Sequence, residues 1–242
     1  MRDDGQSPVL TGLVGAGFVK GVGIVLSGGA GSRFGMPKAL ARDDDGVPWV
    51  QLACRALLDG GCADVVVVLG ARADEARELV PATATAVVAA DWASGIAASL
   101  RAGLAAAESV PAGGETASAS VRSADRASGA DVAVVSLVDL PGLRADAVRR
   151  VLATASGDPE AARHALARAV YGGKPGHPVV VGREHWRPLA DAVRGDTGAG
   201  PYLRAHAAVA VDCTDLGGGD DVDRAGPGPG PGPGPASFPG RG

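Results

Sequence analysis

Two spacings of apolar residues alternate along the middle of the chain. Short unbroken apolar runs, "GVGIVLSG" (21–28), "ADVVVVLG" (63–70), "TATAVVAA" (83–90) and "ADVAVVSLVD" (130–139), have the length and β-branched content of buried strands. Between and after them lie stretches with helical spacing. These are "WVQLACRALLDGG" (49–61), closed by Gly60 and Gly61, "RADEARELV" (72–80), "SGIAASLRAGLAAAES" (94–109) and "LRADAVRRVLATA" (143–155). Strand–helix–strand repetition at this spacing predicts an α/β domain, a parallel sheet with helices on both sides. Ligands of such sheets bind beyond the carboxyl ends of the strands, so the residues just after each strand carry the functional information.

The pattern fails at both ends and once inside. Residues 1–21 read as a flexible N-terminal segment, and "GPGPGPGPGPASFPGRG" (226–242) as a disordered tail that can form neither helix nor ladder. The small, polar stretch over 109–130 reads as a soft surface loop within a domain spanning 22–225. With 242 residues and 46% hydrophobic content, one substantial core is expected. A net charge of −4 gives no reason to expect a nucleic-acid duplex as partner. Cys54, Cys62 and Cys213 have neither C-x-x-C spacing nor a companion His at zinc-finger distance, which points to a reducing compartment. No apolar run reaches the ~20 residues of a membrane helix. The expectation is a cytoplasmic protein without membrane contact.

The first strand runs into Gly28, Gly29 and Gly31, followed by Arg33 and Lys38. A loop with so little side-chain bulk lets several backbone amides face one anion, and the two cations supply the charge a polyphosphate requires. Lys38 is followed by Ala39, so this is not the G-x-x-x-x-G-K-[ST] phosphate loop. "GAGFVKG" (15–21) imitates a dinucleotide fingerprint but precedes a strand instead of following one. A solvated surface turn is the competing reading of the glycines alone.

With its flanks, "LSGGAGSRFGMPKAL" (26–40) resembles the signature L-A-[AG]-G-x-[SG]-x-R-x-G-x-P-K of nucleotidyltransferases like the molybdenum-cofactor guanylyl- and cytidylyltransferases. "WASGIAASLRAGL" (92–104), "VVSLVDLPGL" (134–143), "GKPGHPVVVGREHW" (173–186) and "GDTGAGPYL" (195–203) are similar to later segments of that family, in the same order. The resemblance covers about 22–223. It implies a Rossmann-like, three-layer nucleotide-diphospho-sugar-transferase fold with a mostly parallel sheet. It also implies an enzyme that transfers a nucleoside monophosphate from CTP or GTP to a molybdopterin-type phosphorylated acceptor, with Mg2+ as cofactor and pyrophosphate as product. A molybdoenzyme client is a further implied partner.

Carried over residue by residue, the resemblance assigns Leu26, Ser27, Gly28, Gly29, Ala30, Gly31 and Ser32 to the nucleotide, at its phosphates and the edge of its base, and Ser94, Gly95 and Ser99 to the nucleoside. Arg33, Lys38 and Asp139 are the implied catalytic residues. Asp139 and Asp221, the latter paired with Asp223, are the implied metal ligands. Gly176, His177, Pro178, Asp196 and Gly198 fall to the acceptor. Gly28 matches the guanylyl branch and would leave room for a purine, while the later segments favour the cytidylyl branch. Ala89 and Ala90 stand where the family has Asn, and Gly200 where it has Arg. Asp223 is followed by Arg-Ala-Gly-Pro in place of T-P-E-D. These departures keep two alternatives open: transfer to a sugar phosphate or other small phosphate, and a non-catalytic nucleotide-binding accessory protein of molybdoenzyme maturation.

Overall fold

Every residue of β1 (Gly21–Ser27) is buried, as an apolar run covered on both faces must be. It pairs in parallel with β2 (Asp64–Leu69) on one side and β4 (Val132–Leu137) on the other, Val25 standing opposite Val67 and Ser136. β3 (Thr85–Val88) extends the parallel set beyond β2. The structure is a computed structural model and describes residues 19–109 and 129–223. Apart from a few residues at their margins, the expected N-terminal segment (1–21), soft loop (109–130) and Gly/Pro tail (226–242) lie outside the described residues. Gly21 already belongs to β1, one residue before the expected domain start.

The other half of the sheet is less regular. β5 (Leu166–Tyr171) and β6 (Lys174–Gly182) form a hairpin turned by Gly172 and Gly173. β6 runs antiparallel to both β4 and β5, and β7 (Val209–Asp212) returns parallel to β5. The seven strands lie in the order β3-β2-β1-β4-β6-β5-β7, a mostly parallel α/β sheet with one reversed strand.

Alternation along the strands divides the core in two. Val65, Val67 and Leu69 face α1 (Trp49–Asp59) and α4 (Ala145–Leu152), with Ala76 of α2 (Ala73–Arg77) and Ala162 of α5 (Pro159–Ala162) in the same cluster. Val66 and Val68 pack on the opposite face with α3 (Ile96–Ser109), α6 (Trp186–Ala192) and α7 (Gly200–Ala205). Trp49 and Trp186 are core residues of these two clusters. Among the described residues, no helix is long and apolar enough to cross a membrane.

Candidate active site

Past the carboxyl ends of β1 and β4 the surface opens into a cleft of about 680 Å3. Its floor is the stretch from Leu26 to Phe34. Gly31 turns this loop back on itself: its φ is 66°, and its carbonyl accepts the amides of Phe34 and Gly35, each at 2.9 Å. A Cβ at Gly31 would stand 1.8 Å from the Met36 carbonyl oxygen, so only glycine closes the turn. Among the described residues, the amides of Gly29, Ala30, Ser32 and Arg33 have no hydrogen-bond acceptor. A run of unspent donors beside two cations is an anion site in the making.

The Ser27 hydroxyl turns away from that role. It is buried and donates to the Val68 carbonyl at 3.0 Å, leaving the backbone of this residue to the cleft. A Cβ at Gly28 would meet Ser99 Oγ at 2.5 Å and the Trp92 Cβ at 3.7 Å. The bareness of Gly28 is therefore explained by its protein neighbours, and it no longer bears on the size of a base.

Opposite the loop, Asp139 follows β4. Lys38, in a short 3-10 turn after Pro37, donates to Asp139 Oδ2 at 2.8 Å and to Asp223 Oδ1 at 3.0 Å. Burial works against the charge on Lys38, but the hydrogen bonds to Asp139 and Asp223 outweigh it and raise the pKa above the usual lysine value. The amide of Val222 donates to the Asp139 carbonyl at 3.0 Å and holds the last described segment against the end of β4. Carboxylate oxygens of Asp139, Asp221 and Asp223 consequently lie within 4.8 Å of one another. Asp139 Oδ1 is buried without a hydrogen-bond partner. An orphaned carboxylate oxygen and two further carboxylates suit a hard divalent cation with oxygen ligands, for which the Lys38 ammonium is a competitor.

The remaining expected residues divide. Gly95, Ser99 and Asp196 line the cleft with Leu26 to Arg33, Lys38 and Asp139. Ser94, in the 3-10 turn before α3, does not line it. Asp196 sits with the nucleoside segment: its Oδ1 accepts the Ile96 amide at 3.4 Å, at the start of α3. Gly176, His177 and Pro178 lie on β6 outside the cleft lining, and Gly198 precedes α7, also outside it. The segments expected on the acceptor side are thus not brought to one surface. Burial and the neighbouring Arg168 push the His177 imidazole down to about 4, with Asp221 pulling the other way.

Among the cleft residues outside the expected set, Trp92 and Asp223 matter most for chemistry. Half-buried Trp92, the first residue of the 92–104 segment, lines the cleft. Asp223 read only as the second member of a pair with Asp221, yet it is the one that Lys38 reaches.

Residues 23–210 match the model of the MobA-like NTP transferase domain. The chain belongs to this family. It is 34% identical over 208 residues to the nicotine blue oxidoreductase of Paenarthrobacter nicotinovorans, a match covering 83% of this chain and 91% of that protein. Among solved structures it is similar to Rv0371c of Mycobacterium tuberculosis, with a TM-score of 0.59, 24% identity, and coverage of 85% of this chain and 94% of the other. A complex of Rv0371c with manganese has a TM-score of 0.57 at 21% identity, over 80% of this chain and 87% of that one. At these identities the two structures speak for the fold, which they share with this member of the MobA-like family.

Proposed function

We propose that the chain is a Mg2+-dependent nucleotidyltransferase. It moves a nucleoside monophosphate, CMP ahead of GMP, from the triphosphate to a phosphorylated acceptor of the molybdopterin class and releases pyrophosphate. The observation that carries this reading is the placement of the bare β1 loop and Asp139 on one cleft, with Lys38 joining them. Family membership supports nucleotidyl transfer. The choice of CMP and of a pterin phosphate rests on the resemblance of the segments after the first loop.

In this reading the amides of Gly29 to Arg33 cradle the triphosphate, and Gly95 and Ser99 border the nucleoside. An oxygen of the acceptor phosphate attacks the α-phosphorus. The bond from that phosphorus to the bridging oxygen breaks, and its electron pair leaves with pyrophosphate. The attacking phosphate is already an anion, so no side chain has to take up a proton. Arg33 and Lys38 stand at the loop exit, where charge builds on the leaving group. Asp139, with Asp221 and Asp223 beside it, would hold the divalent ion, which when bound neutralises phosphate oxygens. The ion in the manganese complex of Rv0371c is consistent with a divalent metal in this fold.

Purified protein with Mg2+, molybdopterin and each nucleoside triphosphate in turn tests the proposal. Pyrophosphate should appear with CTP or GTP well ahead of ATP and UTP. Asp139→Asn should lower that rate by about a hundredfold or more with little loss of folding. Normal turnover by this variant would remove the metal assignment. The accessory-protein alternative predicts triphosphate binding with no pyrophosphate at all.

A second reading is carried by the 34% identity to a protein named an oxidoreductase. The same cleft would then take a reduced nicotinamide dinucleotide, whose hydride passes to an oxidised organic acceptor. Loss of reduced-nicotinamide absorbance with nicotine blue as acceptor, and no pyrophosphate from any triphosphate, would favour it.

A further inference from the structure

The last described segment crosses the sheet edge at which the cleft opens. β6 runs antiparallel to both β4 and β5, so β5 points the same way as β4, and β7 lies parallel to β5. All three therefore end at one edge. Tyr171, the last residue of β5, stands there two strands to the side of the strand that leads to Asp139. From the end of β7 the chain passes β5 and β6 before it reaches β4, and this strap is tied down at both ends. At the start, the Cys213 amide donates to the Val170 carbonyl at 2.9 Å, and Thr214 Oγ1 accepts the Gly172 amide at 2.8 Å. At the far end, the Val222 amide meets the Asp139 carbonyl.

Between these anchors run Gly217, Gly218 and Gly219, and the strap rests there on the Tyr171 ring. A Cβ at Gly219 would stand 2.3 Å from Cδ2, 2.4 Å from Cε2 and 2.6 Å from Cγ of that ring. The φ of Gly219 is not left-handed, so the ring, and not the backbone, is what a side chain there would meet. The ring is fixed in its turn. Its hydroxyl donates to the His177 carbonyl at 3.0 Å, and a Cβ at Gly176 would stand 2.8 Å from the same Cδ2. At Gly218 a Cβ would stand 2.0 Å from the Gly142 carbonyl oxygen, just beyond β4. Leu216 and Val222, on either side of the glycines, pack against the same core cluster as Tyr171. Backbone in such close contact with a fixed ring has no room to settle nearer the sheet.

We propose that Tyr171 is a positioning residue for the acidic group. Its ring sets the height at which the strap crosses the sheet edge, and so brings carboxylate oxygens of Asp221 and Asp223 within 4.8 Å of Asp139. Service to a divalent ion rests on the nucleotidyl-transfer reading; the contact between strap and ring stands on geometry alone. Asp139 follows directly on β4, whereas Asp221 and Asp223 belong to a stretch, 217–223, with neither helix nor strand to hold it. Their place depends on what the stretch rests on. A hard cation takes oxygens at roughly 2.0–2.6 Å, so a shift of about an ångström removes a ligand.

Mn2+ is the probe, its free concentration read by electron paramagnetic resonance as it is titrated into the full chain. Gly219→Ala drives a methyl group into the ring and should weaken Mn2+ binding roughly tenfold. Tyr171→Leu should weaken it comparably, while Tyr171→Phe, which keeps the ring, should stay within about threefold of the wild type. In a chain already carrying Asp221→Asn and Asp223→Asn, Gly219→Ala should have no further effect, because the ring acts through those two carboxylates. A general loss of structure would still weaken what Asp139 binds. Hydrogen exchange of the Val222 amide should be faster in Gly219→Ala than in the wild type, with or without metal, at unchanged protection of β1 and β4. Wild-type Mn2+ affinity in Gly219→Ala and Tyr171→Leu, or as large a loss in Tyr171→Phe as in Tyr171→Leu, would overturn the role of the ring. Absence of Mn2+ binding by the wild-type chain would instead remove the metal reading, and exchange at Val222 would still decide whether Tyr171 sets the strap.

Discussion

Lys38 Nζ stands 2.8 Å from Asp139 Oδ2 and joins the exit of the β1 loop to the end of β4, across 101 positions of sequence. The same ammonium lies 3.0 Å from Asp223. It therefore occupies oxygens that a divalent ion would need, and metal and lysine compete for them. Lys38→Ala should bind Mn2+ more tightly than the wild type, by roughly tenfold, because charge-assisted hydrogen bonds of this kind are worth about 1.5–3 kcal/mol each. Transfer should fall in the same variant, since the cation serving the phosphates is lost. Electron paramagnetic resonance of free Mn2+ measures the first effect. Unchanged or weaker metal binding in Lys38→Ala would show that the ammonium does not stand in the metal's place.

The β1 loop should respond to one methyl group. Alanine at position 31 must tolerate a left-handed φ and a Cβ 1.8 Å from the Met36 carbonyl oxygen, which forces the turn to open. The amides of Gly29 to Arg33, which line the cleft, are then displaced. Gly31→Ala should weaken triphosphate binding at least about tenfold, with a stability loss of about 1–3 kcal/mol. Circular dichroism should still report the sheet. Wild-type CTP and GTP affinities in this variant would mean that the loop does not hold the phosphates.

At position 28 the obstacle is a single side chain. A Cβ there would stand 2.5 Å from Ser99 Oγ but an ordinary 3.7 Å from the Ser99 and Trp92 Cβ atoms. Gly28→Ala should cost about 1 kcal/mol of overpacking, and Ser99→Ala in the same chain should restore most of it. Thermal melts of the two single variants and the double variant close the cycle. Additive losses would place the strain somewhere other than on this contact.

The legible parts of the fold were those written locally. β1, β2 and β4 are mostly apolar runs, the composition that burial on both faces favours, with the buried Ser27 and Ser136 as polar exceptions. The β5–β6 hairpin was not readable as a pair, because β5 carries Arg168 at a half-buried position and only the Val run of β6 has a strand pattern. In the site, the glycines and the paired Asp residues were visible as types. Their partners were not: the contact of Lys38 with Asp139, the Ser27 hydroxyl on Val68 and the Asp196 carboxylate at the start of α3 join distant positions, and spacing along the chain carries no record of them.

His177 gives the fold an acid-sensitive element of known sign. Burial, then the field of Arg168, lowers its pKa from the ordinary 6.5 to about 4, against the opposing pull of Asp221. Between these two values the unfolded chain binds a proton that the folded chain refuses, so stability rises with pH across that window and is flat above it. Acidification from neutrality should thus remove up to about 3 kcal/mol through this residue by the time pH reaches the folded pKa. Below that point both states are protonated and the contribution stops changing. His177→Gln deletes the titration while keeping a polar side chain in β6, so the difference in unfolding free energy between variant and wild type should shrink as pH falls from neutral toward the lower value. Urea titrations at a series of pH values measure that difference directly. A constant offset between the two proteins across the window would mean that the imidazole titrates as it does in the unfolded chain, and the burial argument for β6 would fail.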